Sequence, residues 1–137
     1  MRDLEKLLSE DPYSMDKQKK NLFFKNYLNK LTLHHSNNSK KYKKLINYLG
    51  YSTSKKNEID KIPFIPVRLF KELKILSVNK DKVIKVLSSS GTSGNKTSKI
   101  YLDKKNALNQ VKVLQKIMNK VLGNERLPML IIDKNIK

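Results

Sequence analysis

The sequence predicts an α/β protein whose first part is helical. Three observations carry that expectation. Aromatic and aliphatic residues recur at three- and four-residue spacing up to about residue 50, as on one buried helix face. After Asp60 the pattern shifts to short β-branched runs separated by turn residues. A long amphipathic stretch then leads into an unbroken apolar run, and a helix followed by a buried strand suggests a parallel sheet. The shift divides the chain into a helical region, 1–57, and an α/β region, 58–137.

Residues 3–9 make a short helix through Leu4, Leu7 and Leu8, which the Asp11-Pro12 step ends. Ser14 is the expected cap of a helix reaching Leu33, with Phe24, Tyr27, Leu28 and Leu31 on its apolar face. Ser36 to Ser39 reads as a polar break. A further helix carries Tyr42, Leu45, Ile46 and Leu49 and stops at Gly50, where glycine tolerates a left-handed turn. Ser52 to Asn57 is a polar linker.

Pro63 and Pro66 bracket an extended apolar piece, and Pro66 fits the first turn of a short helix over 67–73. Residues 75–78 and 83–87 read as strands around a turn at 79–82, and 99–102 reads as a third. Asp103 is a good cap for the cleanest amphipathic stripe in the chain. That stripe comprises Ala107, Leu108, Val111, Leu114, Ile117, Met118, Val121 and Leu122, and Gly123 ends it. Residues 128–133 then read as a buried strand with Asp133 at its carboxyl end.

The chain has 137 residues, with 30 Lys+Arg against 12 Asp+Glu, giving a net charge of +18. Only Arg2, Arg68 and Arg126 are arginines, so the excess is lysine, a hydrated point charge that serves solubility as well as recognition. The acids Asp3, Glu5, Glu10, Asp11 and Asp16 crowd the start, and none occurs from Lys17 to Asn57. An anion-binding face for nucleic acid, an anionic membrane or an acidic partner is one meaning of that stretch. A solvated lysine-rich helix surface is the other, and it is favoured because neither arginines nor aromatic platforms cluster there. There is no cysteine, which excludes disulfides, thiolate zinc sites and a cysteine nucleophile among these residues. No secretory signal or membrane-length apolar run is present in the sequence, so a cytoplasmic setting is expected.

The segment with chemistry is SSSGTSGNKTSK, the loop 88–99. Glycines let the backbone turn tightly and aim several N–H groups at one ligand. Such a nest suits phosphate, with hydroxyls from Ser89, Ser90, Thr92, Ser93 and Thr97 adding donors and Lys96 and Lys99 supplying charge. A flexible Ser/Gly hairpin loop has the same composition. It is not a Walker A loop: Asn95 separates Gly94 from Lys96, Ser89 stands where the earlier glycine is needed, and a strand follows instead of a helix.

Ser89-Ser90-Gly91-Thr92-Ser93-Gly94-Asn95-Lys96-Thr97 resembles the Ser/Thr/Gly-rich phosphate loop of adenylate-forming enzymes, in the form used by the phenylacetate–CoA ligase branch. Pro63-Phe64-Ile65-Pro66-Val67-Arg68-Leu69-Phe70-Lys71 and Ser98-Lys99-Ile100-Tyr101-Leu102-Asp103 narrow the resemblance to the acyl-protein synthetases, the long-chain-fatty-acid–luciferin-component ligases of bacterial luminescence and their relatives. Asp11-Pro12-Tyr13-Ser14 and the region from His34-His35 to Tyr42 are weaker points of likeness. The resemblance implies an adenylate-forming-type α/β domain that uses ATP and Mg2+. A fatty acid or another carboxylate is activated as acyl-adenylate and passed to a protein thiol, with an acceptor such as a fatty-acid reductase. It implies that Ser89, Ser90, Gly91, Thr92, Ser93, Gly94, Lys96, Thr97 and Lys99 bind ATP phosphates. Lys96 stands one position before the lysine of the commoner superfamily form, and Lys99 competes for its role. Family members are more than twice this length and carry their adenine-binding motifs and catalytic lysine further along. The chain is therefore expected to be an amino-terminal, truncated portion that does not turn over alone. A small basic binding module is the alternative.

Other residues carry two readings. Phe64, Leu69 and Phe70 line an acyl pocket or fill plain core, and Arg68 holds a carboxylate or pairs with an acid of the fold, the structural role being favoured. His34-His35 without nearby carboxylates reads as a helix-end feature, so no metal site is expected. Asp133 lies where α/β ligands gather, or caps the next turn.

Overall fold

The computed structural model describes residues 2–89, 97–128 and 130. Its elements are α1 (Arg2–Ser9), α2 (Lys17–Asn38), α3 (Lys40–Tyr48), α4 (Leu69–Glu72), β1 (Val83–Ser88), β2 (Lys99–Asp103) and α5 (Lys104–Leu122), with single 3-10 turns at Ile59–Lys61 and Lys80–Lys82. This is a mixture of helices with a small sheet, compatible with the α/β expectation.

The first helix of the long hairpin is capped by Asp16, not Ser14. The Asp16 carboxylate accepts the Lys19 N–H at 2.8 Å, whereas the Ser14 hydroxyl turns back to donate to the Asp11 carbonyl at 2.7 Å. An ionised acceptor at a helix start outcompetes a hydroxyl for the same donors. Nor does α2 break at Ser36; it runs on to Asn38. Serine and asparagine cost little in a helix that tertiary contacts support, and here Thr32 and Ser36 are buried. These small side chains, one turn apart, let α3 approach closely. The break falls at Ser39 alone, an extended residue whose N–H bonds the His35 carbonyl while its hydroxyl accepts the Tyr42 N–H. Gly50 ends the hairpin at φ 67°, as its position predicts.

The polar segment after α3 is tied down. Asn29 accepts the Asn57 N–H at 2.9 Å and donates to the Asn57 carbonyl at 2.8 Å, the two bonds a paired strand would make. Lys25 pairs with Glu58 beside it. Pro66 then opens the turn that becomes α4: its carbonyl accepts the Leu69 N–H at 2.9 Å.

β1 and β2 pair antiparallel, from Val83 opposite Asp103 to Ser88 opposite Lys99, with an irregularity between Val83 and Lys85. They form a two-stranded sheet. One expectation is corrected here: residues 75–78 are not a strand, and among the described residues none pairs with them. β1 and β2 are joined by a connection short enough for a hairpin. The parallel sheet expected from a helix followed by a buried strand involves 128–133, most of which lies outside the described residues. Of the expected last strand, Pro128 and Leu130 are irregular, and Leu130 is 86% exposed. Met129 and residues 131–133, including Asp133, lie outside the described residues.

Asp103 serves twice, as the last residue of β2 and as the cap of α5, accepting the Asn106 N–H at 2.8 Å. Gly123 ends α5 at φ 81°. The acid-rich start of the chain lies along this helix. Glu5 pairs with Lys105 and Asp11 with Lys120, each at 2.5 Å, and Lys116 donates to the Glu10 carbonyl at 3.2 Å. The face of α5 that the sequence marks as most apolar is nevertheless open. Val111, Leu114 and Val121 are 60%, 62% and 78% exposed. Among the described residues the buried hydrophobic side chains are Ile46, in the α2–α3 hairpin, and Leu102, under α5. The accessible surface is 11804 Å², against about 7,400 Å² for a compact monomer of this mass.

Candidate functional site

The ends of the Ser/Gly-rich segment are locked together. Beyond the last ladder pair, the Ser89 N–H donates to the Ser98 carbonyl at 3.1 Å. The Ser98 N–H and hydroxyl both donate to Ser89 Oγ, at 3.1 and 2.9 Å. Ser98 is buried and Ser89 exposed, and the pair closes a neck between β1 and β2. The Ser89 hydroxyl, a candidate phosphate donor, is thus engaged in holding the neck. Ser90, Gly91, Thr92, Ser93, Gly94 and Lys96 lie outside the described residues.

Beside the neck is a depression of about 430 Å³ between the end of α4 and β2. Phe70, Lys71, Glu72, Leu73 and Lys74 line it from one side, and Thr97, Lys99 and Tyr101 from the other. Alternation along β2 puts Lys99 and Tyr101 on one face. The Lys74 ammonium stands 4.9 Å from the Tyr101 ring centroid, within reach of the ring's negative face. Among the described residues, Lys71, Lys74 and Lys99 face one acid, Glu72, so the lining is cationic and suits an anion.

Of the site residues expected from the sequence, Thr97 and Lys99 meet Phe70 here. Phe64 and Arg68 do not line the depression; both are exposed, Phe64 at 82%. Lys74, Tyr101 and Ser98 were outside the expected set. Tyr101 and Ser98 were legible in principle, one by its strand alternation with Lys99 and one as the small residue closing the loop opposite Ser89. Lys74 had no signal, since nothing in its neighbours marks which strand it meets.

The adjacent histidines are held differently. His35 Nδ1 is 2.7 Å from Ser77 Oγ, and its ring lies edge-on to Tyr42 at 5.7 Å. Burial first, and then the neighbouring His34, push the His35 pKa below its ordinary value. Among the described residues no group of three or more His, Cys, Asp or Glu side chains is arranged to hold a metal. No helix among them is long and apolar enough to cross a membrane.

Residues from the two motif-bearing segments, Phe70 and Lys71 from 63–71 and Thr97, Lys99 and Tyr101 from the end of the second, line this cationic depression together. The family model described as acyl-protein synthetase, LuxE, matches residues 2–136. The chain belongs to that family, the acyl-protein synthetases. No curated protein and no solved structure matches it.

Proposed function

We propose that these residues form the amino-terminal, nucleotide-phosphate-binding part of an ATP-dependent acyl-protein synthetase. Residues 1–57 are its helical region and 58–137 carry the phosphate loop. The observation that carries the reading is the family match over 2–136 together with the pinned neck that presents the segment 89–98 between two strands. The substrate is a fatty acid or a similar carboxylate.

In the proposed reaction a carboxylate oxygen attacks the α-phosphorus of ATP. The bond from that phosphorus to the bridging oxygen breaks, and pyrophosphate leaves with the electron pair. An acceptor thiolate then attacks the acyl carbon and releases AMP. The loop's hydroxyls and N–H groups hold the β- and γ-phosphates, where charge accumulates as pyrophosphate departs. The described donors have the chemistry this requires, since Thr97 offers a hydroxyl, and Lys74 and Lys99 offer ammonium groups. Glu72 is the one acid among the described residues lining the depression, and Mg2+ bound with the nucleotide would share its phosphate charge. The 137 residues contain no cysteine, so the thiol that takes the acyl group lies outside them, and the acceptor protein is one such as a fatty-acid reductase.

Two measurements test this. ATP should protect the chain from proteolysis, and Gly91→Val with Gly94→Val should abolish that protection; ATP protection that survives the double substitution rejects the loop's role. Fatty-acid-dependent exchange between ATP and pyrophosphate should be absent from the chain alone. Measurable exchange would show that these residues suffice for activation.

A further inference from the structure

The helical region 1–57 carries another depression, apart from the loop and its surroundings. Residues 19, 22, 23, 26, 27 and 30 fall three and four apart along α2 and so share one side of it. Lys19 and Lys30 mark the ends of that stripe, about 16 Å apart along the axis at roughly 1.5 Å of rise per residue. Between them Leu22, Phe23 and Tyr27 make an apolar floor. The Phe23 and Tyr27 rings stack at 5.4 Å with 14° between their planes, and Leu22 is 62% exposed. Lys6 of α1 and Lys56, after α3, complete the lining, and the Asn26 side-chain oxygen accepts from the Lys56 ammonium at 3.5 Å. The depression holds about 530 Å³, and among the described residues no acid lines it.

We propose that this depression docks an acidic protein segment whose carboxylates lie on either side of aliphatic side chains. Charge complementarity carries the choice: four ammonium groups accompany an apolar floor, and Asp16, 3.2 Å from Lys19, is an exposed neighbour outside the lining. Nucleic acid fits less well. No arginine stands in the lining to fork onto phosphate, and the two rings stack on each other instead of offering both faces to bases. An anionic membrane also fits less well, because it takes up a flat or protruding apolar face and this floor is recessed. The distance from Lys19 to Lys30 is the reach of about five residues of extended chain. Every lining residue belongs to 1–57, so the proposal is independent of the nucleotide reading and gives the helical region a task of its own.

The test is fluorescence anisotropy of the 137-residue chain with a labelled synthetic peptide in which glutamates flank a central pair of leucines. A peptide of the same composition with its glutamates gathered at one end should bind about threefold more weakly. Lys6→Gln, Lys19→Gln and Lys56→Gln together should weaken the flanked peptide about tenfold and flatten its dependence on salt. Leu22→Ser should weaken it about threefold without moving the melting transition, since that side chain is exposed. Lys44→Gln, Lys80→Gln and Lys82→Gln together, at exposed lysines outside the lining, are the charge control, and circular dichroism reports whether each variant folds. Failure of the unsubstituted chain to bind the flanked peptide overturns the proposal. Equal binding of the two peptides, or equal loss in the charge control, also overturns it, since net charge would then explain the effect. Tighter binding of single-stranded oligouridylate or of phosphatidylglycerol vesicles, lost on substituting Lys6, Lys19 and Lys56, overturns it in favour of nucleic acid or membrane.

Discussion

At the scale of single residues, His35 couples the helical hairpin to the chain that follows α4. Its imidazole meets the Ser77 hydroxyl at 2.7 Å, and burial favours the neutral ring. A histidine whose folded pKa is depressed gives stability that is present above its unfolded value. That stability is lost as the pH falls through the lower folded value. The melting temperature should therefore decline as pH drops below about 6.5, the ordinary histidine value. His35→Gln should flatten that decline in thermal unfolding scans, and an unaltered slope would remove His35 from the acid response. Asp103 is the other residue with a defined local role. Asp103→Ala removes the acceptor for the Asn106 N–H and should cost about 1 kcal/mol in denaturant unfolding. Caps such as Asp103, Gly50 and Gly123 were legible because their chemistry is local. Asp16 was harder to see, because Ser14 offers the same kind of acceptor two residues earlier and only the turn at Asp11 decides between them.

At the scale of elements, α5 has two unlike sides. One is bound to the start of the chain through Glu5–Lys105 and Asp11–Lys120, exposed pairs that add little to stability. The other presents Val111, Met118 and Val121 to solvent. Val111→Ser and Val121→Ser should therefore change stability by no more than about 0.5 kcal/mol. By contrast, Leu102→Ala, at a side chain 7% exposed, should cost about 2–5 kcal/mol. Equilibrium unfolding in urea distinguishes the two. A hydrophobic dye should bind the folded chain, and Val111→Lys with Val121→Lys should reduce its signal without moving the transition. The sequence identified α5 by its period, but periodicity marks which side is apolar and not what covers it. The strands were legible for β1 and β2, where β-branched residues run between turn signals. Residues 75–78 share that composition, yet a strand exists only with a partner, and pairing is a property of two segments.

At the scale of the whole molecule, the charge of +18 and the wide surface act together. Lysines repel one another across a chain that buries little, so added salt should raise the melting temperature by screening that repulsion. A melting temperature that falls steadily with sodium chloride would mean the few ion pairs matter more than the net charge. Membership of the acyl-protein synthetases and the position of the Ser/Gly-rich segment between two strands were both readable from residue order. Local rules suffice for them: turn residues, caps and motif spacing act over a few positions. The tertiary structure alone decided that Lys74 meets Tyr101, that Ser89 and Ser98 close a shared neck, and that the most apolar face of α5 stays open. Each depends on how segments far apart in the chain are brought side by side, and that is governed by packing and pairing between elements rather than by the preferences within any one of them.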